Sequence, residues 1–434
     1  MGWAEVLGMW IREGERLRAN WGRAVRIVVL VVVASGLCAC NEIDASRSGR
    51  ALDNEPAPGL LDRAESGEVE AQLAVGLFYR NAANQSEDSN RARSQAEALQ
   101  WFTLAAEQGN PVAQTELGLM LVTAEDNVRN LAEGRRWLSR AGEAGQAPAY
   151  FMLGDLSNRG EDVPPNPVMA VAFWRQAADL GHTGALHRLA QAYEEGLGVD
   201  PDPETAIGFY REAADRGYQV SQYRLAVIND EGFQTPRDAR EAVKYYRLAG
   251  EQGYAPAQAQ LGYLYARGDG VIQRYDEALR WSRMAAEQGD ANGCNNLAVL
   301  YLKGLGVEQS FDDALRWYRL AAQRHHPGAQ NMLGTLYLTG QGVAIDANEA
   351  EHWWRMAAEQ GYAAAQYNLG GMYSRKISTT LTREEALDWL GRAAEQGHRS
   401  AARELAELQA TVAVPAMNES NETASAEEPA RTTL

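Results

Sequence analysis

Nine aromatic residues stand in this chain at an unbroken step of 36: Trp101, Trp137, Phe173, Phe209, Tyr245, Trp281, Trp317, Trp353 and Trp389. Aromatics make up only 8% of the chain, so this regularity marks an internal repeat and not composition. Other positions keep the same step. From the second unit on, a Leu-Gly or Leu-Ala pair lies 20 residues before each aromatic, from Leu117 to Leu369. An Ala follows four residues after each aromatic, from Ala105 to Ala393, and a Gly four further on, from Gly109 to Gly397, with His325 the one exception. A single unit of this kind cannot bury its apolar face alone, so each must stack on the next.

Each unit reads as two helices. Ala257, Leu261, Leu264 and Tyr265 fall at i, i+4, i+7 and i+8, which puts them on one face of a first helix. Ala278, Trp281, Ala285 and Ala286 do the same for a second. Gly268-Asp-Gly270 breaks the chain between them, and Gly289 stands where a helix ends on a left-handed residue. Strings such as Ala257-Gln-Ala-Gln-Leu-Gly-Tyr-Leu-Tyr-Ala-Arg-Gly-Asp-Gly-Val and Asp276-Glu-Ala-Leu-Arg-Trp-Ser-Arg-Met-Ala-Ala-Glu-Gln-Gly289 resemble Sel-one-like repeats, relatives of tetratricopeptide repeats. The expected fold is all-α: an α-solenoid of about nine 36-residue helix-turn-helix repeats with terminal caps, over residues 59–410. The aromatic column is expected to be the spine that glues neighbouring hairpins together.

The departures carry expectations of their own. Val75 lies 26 residues before Trp101, and the six extra residues suggest an enlarged polar loop around Asn81 to Arg93. Residues 59–66 read as a half-unit cap, and Ala401 to Leu408 as the opposite one.

Residues Ile27 to Ala39 form an apolar run of 13 after Arg23 and Arg26, too short to span a bilayer comfortably but suited to a secretory signal. The run ends in Leu37-Cys-Ala-Cys40, which resembles a bacterial lipobox. That resemblance implies a lipoprotein signal peptide over 1–39, cleavage before Cys40, and a diacylglycerol plus an amide-linked acyl chain on Cys40. Two or more chains hold a protein on a membrane stably. Asn41 in place of Asp favours outer-membrane sorting, so the expected location is the bacterial cell envelope, lipid-anchored and facing the periplasm. Residues 40–58 read as a flexible tether and 411–434 as a disordered tail.

The formal net charge is −17, and removing a signal with five Arg and three Glu leaves −19. That acidity argues against a nucleic-acid partner, whose phosphates require clustered Lys and Arg. Of three Cys, only Cys294 lies in the array, so there is no disulfide framework. The six His are not at metal-ligand spacing, and the Gly-x-Gly turns at Gly196, Gly268, Gly304 and Gly340 follow helices and not strands. The residues point to no catalytic group, no metal, no small-molecule cofactor and no enzyme activity. A β-lactam hydrolase, the rival reading, lacks both the paired Cys of such relatives and a Ser-x-x-Lys motif.

What remains is a surface. If Ala113, Leu117, Met120 and Leu121 face the core, positions 115 and 119 point away from it on the first helix. Carried down the array, these positions hold Phe151, His187, Tyr223, Val227, Tyr263, Val299 and Tyr367, expected as exposed anchors on a concave face. The family resemblance implies an adaptor that binds a protein or peptide there. The alternative is a scaffold associated with glycans or exopolysaccharide export.

Overall fold

The computed structural model describes residues 56–410, apart from 86–87, 124–128, 162, 233–235 and 378–379. The expected signal, Cys40, most of the tether and the tail after residue 410 lie outside the described residues. Within them the chain is all-α, with twenty helices and no strand. A short α1 (Pro58–Glu65) precedes α2 (Val69–Gln85) and α3 (Asp88–Glu107) of the first unit. Then follow the pairs α4 (Pro111–Thr123) and α5 (Leu131–Glu143), α6 (Ala147–Arg159) and α7 (Pro167–Asp179), α8 (Thr183–Glu195) and α9 (Pro203–Asp215), and α10 (Gln219–Glu231) and α11 (Ala239–Glu251). The array continues through α12 (Ala255–Arg267) and α13 (Tyr275–Glu287), α14 (Ala291–Lys303) and α15 (Phe311–Gln323), and α16 (Pro327–Thr339) and α17 (Ala347–Glu359). It closes with α18 (Ala363–Ser374), α19 (Arg383–Glu395) and α20 (Arg399–Ala410).

The six additional residues of the first unit do not enlarge a loop. They lengthen its helices instead, to 17 and 20 residues against 13 in most others, because the segment carries three Ala and two Arg and holds neither Gly nor Pro. The first helices α6, α8, α10, α12, α14 and α16 end on a left-handed Gly, for example Gly268 at φ 72 and Gly304 at φ 66, whereas α18 ends on Arg375 at φ −87. Second-helix ends use a Gly with φ of 84 to 94, and His325 is forced into the same region at φ 59.

The aromatic column is only part of the core. Trp101, Tyr245 and Trp281 are buried, whereas Trp137, Phe173, Phe209, Trp317, Trp353 and Trp389 are half-buried. The residue after each is packed deeper: Phe102, Leu138, Trp174, Tyr210, Tyr246, Tyr318, Trp354 and Leu390 are all buried. It enters a notch left by the small residue of the first helix. A Cβ at Gly334 would stand 2.6 Å from Cδ1 and Nε1 of Trp354, so only hydrogen fits there. Ser282 breaks this column, and in that unit Trp281 itself is only 3% exposed.

Successive units are also tied by polar columns. Buried Gln258 donates to the Gly250 carbonyl of the preceding second helix at 2.9 Å, and Gln222, Gln330 and Gln366 do the same to Ala214, Ala322 and Ala358. Each Gln in turn accepts from a Gln near the end of its own unit's second helix, as Gln258 does from Gln288 at 2.7 Å. Each of these carbonyls also accepts a backbone amide of the turn that follows, as Gly250 O does from Gly253 at 3.0 Å, so the Gln bond uses its second lone pair to tie one unit to the next. Cys294 stands at this position in α14, and its thiol reaches Ala286 O at only 3.8 Å.

Candidate functional site

First helices of successive units touch one another directly, α4 with α6, α12 with α14 and α18 with α20. Among the described residues no two successive second helices approach to that degree. The closer approach puts the first helices on the inner side of the stack. That inner side is the face on which the anchors were expected.

None of the seven is fully exposed. His187 is buried at 7% exposure, so it is not an exposed anchor, and the other six are half-buried. The cause is a contact with the turn that opens the next unit, 31 residues on. Phe151 stacks on His182 at 4.3 Å between ring centres, and Tyr367 on His398 at 4.5 Å. Tyr223 meets Tyr254 edge-on at 5.3 Å, and His187 tilts against Tyr218 at 5.5 Å. Arg267 covers the Tyr263 ring at 5.2 Å and Arg375 the Tyr367 ring at 5.4 Å. Val227 and Val299 lie at the edge of the core clusters. These rings are wedges between units first, and only their edges reach the surface.

His187 Nδ1 lies 3.0 Å from Ser221 Oγ, but the pair is sealed from solvent. Burial, with Arg188 and Arg224 nearby, pulls the His187 pKa down to about 3. A base so weak and so enclosed cannot activate a hydroxyl toward an outside substrate. Cys294 is buried, and burial pushes its thiol upward, away from the thiolate. Among the described residues no group of three or more His, Cys, Asp or Glu is placed to hold a metal ion. No described helix is long and apolar enough to cross a membrane.

The inner surface itself is polar and joined across units. Arg188 reaches back to Asp155 at 3.2 Å, and Asp155 also accepts from Trp174 Nε1 at 3.1 Å. Arg224 pairs with Glu194, which accepts from the Tyr210 hydroxyl at 2.6 Å. Gln260 donates to Asp230, Asn296 to the Ala259 carbonyl at 2.9 Å, and Asn368 to Asn331 at 2.9 Å. The donors share a unit position that sequence reasoning passed over: Arg188, Arg224, Gln260, Asn296 and Asn368 each stand just before a core Leu, with Met332 interrupting the step of 36. Side chains that long and polar beside a buried Leu signal partners in the neighbouring unit. What the inner face offers is a varied row of charged and amide groups between ring edges.

The family of Sel1 repeats matches nine consecutive segments, 69–110, 111–146, 147–182, 183–218, 219–254, 255–290, 291–326, 327–362 and 363–398. A solved structure of a protective antigen present in uropathogenic Escherichia coli strains, displaying an SLR fold, is 31% identical over 81% of this chain and 74% of its own, with a TM-score of 0.67. A Sel1 repeat protein from Oxalobacter formigenes is 33% identical over 71% of this chain and 90% of its own, with a TM-score of 0.55. No curated protein matches the chain. Helical pairs at a step of 36, the repeated inter-unit ties and the nine consecutive matches agree: the chain belongs to the Sel1 repeat family.

Proposed function

We propose that this protein is a non-enzymatic adaptor, tethered by lipid at Cys40 to the bacterial cell envelope, that binds a protein or peptide along its inner face. The Sel1 solenoid is a scaffold fold typical of protein–protein interaction. The observation that carries the finer reading is the inner row itself. Arg188, Arg224, Gln260, Asn296 and Asn368 differ from unit to unit while the core around them does not, and Val227, Tyr263 and Val299 supply apolar edges between them. Such a row suits an extended polypeptide, with polar groups for register and apolar edges for affinity. The lipobox-like Leu37-Cys-Ala-Cys40 after an apolar run supports an envelope setting.

Two experiments test the two halves. A photo-crosslinking residue in place of Val299 should capture a partner in cells, and one in place of the exposed Arg316 on the second-helix side should not. Capture confined to the Arg316 side would overturn the inner-face reading. Cys40→Ser should move the protein from the membrane fraction to the soluble one. If that variant still sediments with membranes, the lipid tether is wrong.

A further inference from the structure

A second column of polar ties runs along the other side of the array. Two residues after the aromatic, Arg175, Arg247, Arg283 and Arg319 each donate to a tyrosine hydroxyl 18 residues on, in the next unit's first helix. The acceptors are Tyr193, Tyr265, Tyr301 and Tyr337, at 2.5 to 3.3 Å. At the first of these ties the tyrosine ring also lies against the following column aromatic, Tyr193 stacking on Phe209 with ring centres 5.8 Å apart. At one place the arginine is present and the tyrosine is not. Arg211 faces Asn229, whose amide turns back to donate to the Leu225 carbonyl of its own helix at 2.8 Å. Arg211 is exposed and makes no hydrogen bond or ion pair among the described residues. Where both halves of the tie are missing, at Ser139 and Ser157, no arginine is left over.

A cleft opens at this place between α9, α10 and α11. Ile207, Leu225 and Ile228 form its floor, Arg211 and Asn229 one side, and Glu241 and Tyr245 the other. Tyr245 stands in the cleft as Phe209 stands beside Tyr193, and Arg211 as Arg175 does. We infer that this cleft is a binding site for the phenol ring of a tyrosine from a partner polypeptide. The ring takes the place that Tyr193, Tyr265, Tyr301 and Tyr337 fill from within the chain. Its hydroxyl accepts from Arg211, its face lies on Tyr245, and its edge meets Ile207 and Ile228. The site is on the second-helix side and does not depend on the inner-face reading above.

The test uses the purified protein, with p-cresol as the tyrosine side-chain probe and toluene as its counterpart without the hydroxyl. Titration followed by NMR should shift the resonances of Asn229, Ile228 and Tyr245, with p-cresol binding at millimolar concentration and several-fold more tightly than toluene. Arg211→Ala should erase that preference and leave toluene binding unchanged. Asn229→Tyr, which supplies the missing ring, should raise the melting temperature and abolish both titrations. Absence of p-cresol shifts at these residues, equal binding of the two probes, or unchanged p-cresol binding in Asn229→Tyr would each overturn the assignment.

Discussion

Three of the histidines, His182, His326 and His398, cap the helices that follow them. His182 Nδ1 accepts from the Ala185 amide at 3.1 Å, and His326 Nδ1 from the Ala329 amide at 3.0 Å. Asn110 and Asp290 do the same work in other units. An imidazole can accept at Nδ1 only when that nitrogen carries no proton, and burial enforces this by lowering both pKa values to about 4, with Asp155 partly opposing the shift at His182. Both groups bind a proton more readily in the unfolded chain, so their contribution is fully present above about pH 6.5 and is lost as pH falls toward 4. At pH 5 the loss is about 2 kcal/mol for each. Thermal melts from pH 7.5 to 5 should therefore show a falling midpoint, and the double variant His182→Asn, His326→Asn should make the fall shallower while keeping the caps, with buried His187 supplying part of the slope that remains. An unchanged slope would show that these histidines are not the titrating groups. The residue type was readable in the sequence, but the acceptor role was not, because it depends on a helix starting one residue later.

At the scale of the helix, the step of 36 locates the units but does not rank their columns by depth. It returns every position of the unit equally, buried or half-exposed, so Trp353 and Trp354 look alike by period, and only the notch at Gly334 distinguishes them. Trp354 is 2% exposed and donates from Nε1 to the Asn331 carbonyl at 3.0 Å, whereas Trp353 is half-buried. Trp354→Ala is expected to cost about 3–5 kcal/mol and Trp353→Ala less than half as much. Gly334→Ala should cost about 1–3 kcal/mol, since the tryptophan must move to admit a methyl group. Urea titrations of the three variants decide the order, and a larger loss for Trp353→Ala would restore the aromatic column as the principal spine. The inner face was misjudged for a related reason. Phe151 and His182, Tyr223 and Tyr254, and Tyr367 and His398 are each 31 residues apart, so the burial of the first member depends on a ring one unit away. An amphipathic pattern within one helix does not contain that distance.

At the scale of the array, among the described residues the main helix contacts join each unit to its neighbours, through ties that recur in one register, and this sets what can be removed. Deleting residues 327–362, one full step, would join His326 to Ala363. The Ala322 carbonyl would then meet Gln366 in place of Gln330, and Arg319 would meet Tyr373 in place of Tyr337, so both polar columns rejoin. His326 would cap α18 through the Ala365 amide as it now caps α16 through Ala329, while the Thr380 to Glu351 bond would be lost. Stability in such an array is close to a sum of unit and interface contributions, so one unit and one interface fewer should lower the melting midpoint modestly and leave unfolding cooperative. Deleting residues 327–344 instead removes a first helix and sets α17 directly after α15. Trp354 would then have no glycine notch to enter, and neither the glutamine nor the tyrosine column would find its partner. Circular dichroism should show helicity per residue unchanged in the first deletion and reduced in the second, with the second losing its cooperative melt. Equal tolerance of both would mean that adjacent helices, and not the 36-residue pair with its ties, are the stacking unit.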